Sequence, residues 1–312
     1  MCLAAVFGRA LSSGVDGSAE LRTAATVFVG IFVQATPFLV LGVLVSGLIA
    51  GFVSPRVLER VLPRRGASAV AAAGLSGVAL PGCECSAVPV AGRLMDRGVP
   101  AAVAVTFLLA APAINPVVVV ATVVAFPGQP EVAGARVVGS LATAVVTGWI
   151  WLAVGRPEWI RRPRTAAPDQ LPDGAFARLS VAAATAREDL VEAGSFLAVG
   201  AAFAAALHVL VPASWFEHLA SDMLLAVVVM AVLAVVLALC SEADAFVAAS
   251  LSALPLLPRI VFLVVGPAVD VKLMTMQAGA FGRRFVARFA PLTMVVAVGC
   301  ALGAGTLLVG WR

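Results

Sequence analysis

Charge is scarce in this sequence. Only 12% of its 312 residues are Asp, Glu, Lys or Arg, and 62% are hydrophobic, whereas a soluble domain carries about 25% charged residues. That balance excludes the soluble classes and reads as a polytopic membrane protein. Lysine is almost missing, Lys272 being the single one. No ATP-binding loop of the G-x-x-x-x-G-K-[ST] kind is present, so energy must come from an ion gradient or from a separate ATPase subunit. Residues 1–22 show no basic start, short apolar core and cleavage site, so no signal peptide is expected. The five cysteines, Cys2, Cys83, Cys85, Cys240 and Cys300, suggest no disulfide framework. The two histidines, His208 and His218, lie far in sequence from Cys83 and Cys85. No zinc site, other metal or cofactor is therefore expected. No nucleophile–base pair surrounds Cys85 or Cys240, so the chain does not read as an enzyme.

What is present is long apolar sequence. Stretches near 24–52, 67–92, 101–126, 133–155, 189–211, 223–250, 257–280 and 289–310 are rich in Ala, Val and Leu and lack the alternation of barrel strands. Backbone groups at membrane depth need internal partners, so these stretches read as helices. The polar gap at 156–188 divides a first membrane repeat (24–155, after an N-terminal segment 1–23) from a second (189–312) and reads as a cytoplasmic linker.

The halves match. Cys85-Ser86 and Cys240-Ser241 stand 155 residues apart, and the same offset relates Phe107-Leu108 to Phe262-Leu263, Pro112-Ala113 to Pro267-Ala268, and Asn115 to Asp270. With a small gap, Phe38 and Gly42 match Phe196 and Gly200. We read an internal duplication.

Charge orients the halves. Arg56, Arg60, Arg64 and Arg65 in 53–66, six arginines in the linker, and Arg283, Arg284 and Arg288 mark three cytoplasmic segments. Residues 211–222, with Glu217 and Asp222, and 127–135, with Glu131, belong outside. Eight simple crossings do not satisfy this pattern. If the stretches around Cys85 and Cys240 each bend into two short helices, every loop falls on its side. The fold expected is an all-α polytopic membrane protein of two inverted repeats. Each has about five helical segments, with interrupted or re-entrant helices at the centre, as in many secondary transporters. The location expected is a bacterial-type inner membrane.

Helix breaks are expected at Pro81, Gly82, Pro89, Pro112, Pro116 and Pro267, where interrupted backbone lines protein or a cavity. The polar side chains gather at the same places. Glu84, Glu242, Asp244, Asp270 and Lys272 are ionisable residues inside spans, which marks them as functional candidates, here for proton coupling. A structural pair is the plain alternative for Asp270 and Lys272, and a carboxylate at the interface for Glu84 and Glu242. Cys83, Cys85, Ser86, Asn115, Cys240 and Ser241 are the candidate substrate ligands. Thiolates suit soft species such as Cu(I), Zn and trivalent arsenic, although buried free cysteine is also ordinary packing.

"PGCECSAVPVAGRLMDRGVPAAVAVTFLLAAPAINPVVVVAT", with "CSEADAFVAASLS" and "FLVVGPAVDVKLMTM" in the second half, resembles the signatures of the YraQ/ArsP permease family over roughly residues 24–310. The arsenic-linked members export trivalent organoarsenicals, which the resemblance implies as one substrate class, with Cys83 and Cys85 offering thiols. The family is often given eight spans; the charge parity here differs. The reading is a gradient-driven exporter of a soft, thiol-reactive solute. Its partners would be a small-molecule or metalloid substrate and the lipid bilayer, with a homo-oligomer compatible and nucleic acid excluded. Uptake of a sulfur-containing anion is the alternative. So is a channel, because "INP" resembles the Asn-Pro of water channels, though Asp270-Val271 replaces the second copy.

Overall fold

In a computed structural model, residues 19–52, 66–79, 84–160, 174–210, 223–251 and 254–310 are described. Among them there is no strand. Helices α1 (Ala19–Phe52), α2 (Ala67–Ser76), α3 (Glu84–Asp96), α4 (Ala101–Ile114), α5 (Pro116–Ala125) and α6 (Pro130–Val154) come from the first half. The second supplies α7 (Ala175–Leu210), α8 (Met223–Leu237), α9 (Ala243–Ser250), α10 (Leu256–Val265), α11 (Val271–Phe281) and α12 (Arg283–Leu308). Among the described residues, five stretches are long and apolar enough to cross a bilayer: Leu21–Phe52, Ala101–Ala125, Pro130–Val154, Ala175–Ala206 and Arg283–Leu308. The chain is a multi-pass membrane protein.

Both cysteine-bearing stretches bend. The first is α2, a 3-10 turn at Gly77–Ala79, and α3. Trp149 Nε1 donates to Ala67 O at 3.1 Å, placing the start of α2 beside the end of α6. The end of α3 sits beside the end of α1, where Arg97 donates to the carbonyl of Ala50. Only a short turn joins α3 to α4, and α6 returns antiparallel after the turn that follows α5. The start of α2 and the end of α3 therefore lie on one side of the molecule. The second stretch breaks between Leu237 and Ala243, giving α8 and α9.

The two spans that follow these stretches are broken as well, which gives six α-helices per half among the described residues. Asn115 has extended ψ 154 and caps α5 through its side chain, which accepts from Val118 N at 3.0 Å. Pro116 takes the first position of α5, where no amide hydrogen is needed. Asp270 does the same for α11, its Oδ1 accepting from Leu273 N at 2.6 Å. Two of the expected breaks are not breaks. Pro89 lies inside α3 and Pro112 inside α4. Each forfeits one i→i−4 bond, a loss a helix packed in protein on its neighbours tolerates. The interruption comes three residues after Pro112, at the residue that precedes Pro116 and is biased out of helix. Pro267 sits in the break, between α10 and α11. Pro81 and Gly82 lie outside the described residues.

Helices α1 and α7 have 34 and 36 residues, about 51 and 54 Å at 1.5 Å per residue, against a hydrocarbon core of about 30 Å. The polar first turns of α7 extend the helix into the stretch read as linker, which is why it starts at Ala175 rather than near 189. These two helices pack against each other, and the halves share a pattern of neighbours: α2 on α4 as α8 on α10, α4 on α6 as α10 on α12, and α3 on α11 as α9 on α5.

Candidate functional site

The site lies where the start of α3 and the break before α9 meet the broken spans. Glu84 opens α3 and Lys272 lies in the first turn of α11. The two side chains form an ion pair, 1% and 0% exposed. Glycines on the long helices allow this close seating. A Cβ on Gly42 of α1 would come within 2.5 Å of Ser86 Cα, and one on Gly200 of α7 within 2.9 Å of Lys272 Cα. The helices bearing the pair are thus pressed against α1 and α7.

From this pair a chain of contacts crosses the molecule. Lys272 Nζ also donates to Cys240 Sγ at 3.7 Å. The Ser241 hydroxyl donates to Glu84 Oε2 at 3.1 Å, and its carbonyl accepts from Arg136 at 2.8 Å. Arg136 holds both oxygens of Asp244, at 2.8 and 3.0 Å, and reaches Thr122 Oγ1 at 2.8 Å. All of these side chains are buried. A buried charge is tolerated only when paired and hydrogen-bonded, and here both ion pairs join the first half to the second.

Most expected site residues converge here. Glu84, Cys240, Ser241, Asp244 and Lys272 are in direct contact within the network. Cys85 and Ser86, next in α3, are buried. Asn115 and Asp270 are both 0% exposed and hold equivalent places, each capping the second half of a broken span; Asp270 Oδ2 is without a hydrogen-bond partner. Glu242 stands beside Ser241 with neither carboxylate oxygen hydrogen-bonded. Cys83 lies outside the described residues. Cys300, on α12, is half-buried, and no group of three or more His, Cys, Asp or Glu among the described residues forms a metal site.

Arg136, Thr122, Arg93 and Asp189 escaped the reading of the sequence. Arg93 on α3 donates to Asp189 Oδ1 on α7 at 2.7 Å, and Ser46 on α1 donates to the same carboxylate. An arginine inside the apolar run at 133–155 was a signal of the kind that singled out Glu84.

The sequence model of a family described as "Predicted permease" (ArsP_1) matches residues 20–304. The chain belongs to this family. It is similar to the "UPF0718 protein YcgR" of Bacillus subtilis (strain 168), 35% identical over 286 residues that cover 91% of this chain and 96% of the relative. It is also similar to a Streptococcus mutans protein named "Putative two-component membrane permease complex subunit", 32% identical over 277 residues, 87% of this chain and 91% of the relative. No solved structure matches. Membership of a permease family points to a transporter rather than an enzyme.

Proposed function

We propose that the protein is a gradient-driven secondary transporter that exports a soft, thiol-reactive solute such as a trivalent organoarsenical. The observation that carries this reading is the Glu84–Lys272 pair with Cys240 against it, buried where the two halves meet. A transporter needs a site that either half can uncover, and interrupted helices at the repeat interface are where such sites form. The shared packing pattern of the halves and the opposite charge of 53–66 and 211–222 support inverted repeats, with repeats at 24–155 and 189–312 joined by a cytoplasmic linker.

The chemistry follows from the residues. A soft centre entering the site exchanges its weak ligands for sulfur, from Cys240 and Cys85 and, outside the described residues, Cys83. Ligation draws Cys240 from Lys272, and separation of the halves parts Glu84 from Lys272. A carboxylate stripped of its partner in a dry site takes up a proton rather than stay charged, which couples the movement to the proton gradient. Asp270 and Glu242, with unpaired oxygens, are the adjoining proton acceptors. The name of the Streptococcus mutans relative suggests a second subunit, which the chain would need only if the gradient alone does not drive it. The test is uptake of a trivalent methylarsenical into everted membrane vesicles. Wild type should accumulate it under an imposed pH gradient and lose accumulation when the gradient is collapsed. Cys85→Ser/Cys240→Ser at normal expression should fall to the background of empty vesicles. Undiminished uptake by that variant would sink the thiol reading.

A further inference from the structure

A cavity of about 850 Å³ opens between α3, α7 and α11. Its charged lining comprises Arg93, Asp96, Arg187, Glu188, Asp189 and Glu192, so four carboxylates face two guanidiniums. Arg93 is engaged by both Asp96 and Asp189. Glu188 and Glu192, one turn apart on the same face of α7, have no ion pair among the described residues. A solvated helix face would explain two exposed glutamates. It does not explain Asp96, whose side chain is only 5% exposed and whose Oδ1 has no hydrogen-bond partner. An ionised carboxylate is an acceptor only, so Asp96, held by Arg93 through Oδ2, keeps its other oxygen buried beside the cleft without a donor.

The cavity also has a direction. Val88 lines it four residues beyond Glu84 on α3, and Met276 four residues beyond Lys272 on α11. That is about 6 Å of helix in each case. Two of its walls are thus the helices that carry the buried ion pair, and its inner end lies one turn from it. Its outer end holds Asp96 and Ile160, and Ile160 is followed in the sequence by Arg161, Arg162 and Arg164 of the stretch read as cytoplasmic.

We infer that this cleft is the cytoplasmic loading vestibule of the permease, and that it concentrates cationic solutes and turns away oxyanions. The inference rests on the permease reading and narrows it: the cargo meets a net negative surface before it meets the thiols, which admits a neutral or cationic soft species, a neutral trivalent arsenical included, and disfavours a sulfur-containing anion. Clefts of one charge sign with low-dielectric walls raise the local concentration of counter-charged solutes by tenfold or more.

The test does not need the natural cargo. Ala193 lines the cleft and takes no part in the network, so Ala193→Cys is a reporter, with Met95→Cys as a second on the opposite wall. Each is treated with a trimethylammonium-ethyl methanethiosulfonate and with its sulfonate counterpart, which form a mixed disulfide and release methanesulfinate. Rates are divided by those of a free thiol, and the parent protein serves as blank. In everted vesicles the cationic reagent should react about tenfold faster than the anionic one, and both should react poorly in right-side-out vesicles. Glu188→Gln/Glu192→Gln should bring the ratio down towards that of the free thiol. A ratio near one with the glutamates present, a ratio unmoved by their replacement, or reaction only from the outer face would overturn the inference. Failure of arsenical uptake with the charge ratio intact would instead count against the proposed transport alone.

Discussion

Arg136 shows how much a single residue can carry here. It is 1% exposed on an apolar helix and is held by Asp244, Ser241 and Thr122. Removing one member of a buried ion pair leaves the other charged and unpaired, which costs about 3–5 kcal/mol. Arg136→Met should therefore lower the thermal unfolding midpoint in detergent sharply, and Arg136→Met/Asp244→Leu should recover most of the loss. A single variant as stable as wild type would contradict the pairing. The arginine was legible in the sequence as an ionisable residue in an apolar run. Its partner was not, because Asp244 lies 108 positions away and nothing local records which carboxylate it meets.

Asp96 supplies the pH-dependent residue. It sits at the open end of the cleft, outside the spanning helices. Burial pushes its carboxyl up to about 6, Arg93 and Arg97 opposing and Asp189 adding to the rise. A carboxyl raised in the folded state is ionised above about 6 and neutral below it. The cation preference of the cleft should thus weaken as pH falls from 7 to 5, read as the ratio of the two labelling rates. In Asp96→Asn the preference should be lower at pH 7 and the step smaller. By linkage the ionised form costs folded stability, so stability declines as pH rises from about 4 to about 6 and Asp96→Asn should lack this decline.

Among the elements, the broken spans were the most legible. "AINPV" and "AVDVK" each place an N-cap residue before a helix start, and both residues cap as that chemistry requires. Pro89 and Pro112 misled because a proline forbids one hydrogen bond, not a helix, and packing decides whether the helix survives the loss. The caps separate two roles that Asp270 could play. Asp270→Asn keeps an accepting oxygen on Leu273 N and removes the ionisable group. Asp270→Ala removes both and should cost about 1 kcal/mol. Normal stability with abolished pH-driven uptake in Asp270→Asn is the expected result, and full uptake would exclude Asp270 from proton coupling. Gly42 tests the seating of α3. A side chain there meets Ser86 backbone at 2.5 Å, so Gly42→Leu should displace α3 and reduce both stability and uptake.

At the scale of the whole molecule, composition and the apolar runs disclosed the helical class and the multi-pass character. They did not disclose the long first turns of α7, which are polar and read as linker, or the network that joins the halves. That network depends on contacts between residues more than a hundred positions apart, such as Glu84 and Lys272. Reporter fusions should place 53–66, 156–174 and 281–288 in the cytoplasm and 211–222 outside; 281–288 outside would remove the inverted arrangement. The pair itself gives the most direct test of the central claim, that cargo passes through a site closed by a charge pair between the halves. Arsenical uptake into everted vesicles should be measured for Glu84→Lys, Lys272→Glu and the two together, at matched expression. Each single change puts like charges against each other in a buried site and should abolish uptake. The double change restores opposite charges and should return a measurable fraction of the wild-type rate, whereas single variants that transport at full rate would contradict the claim.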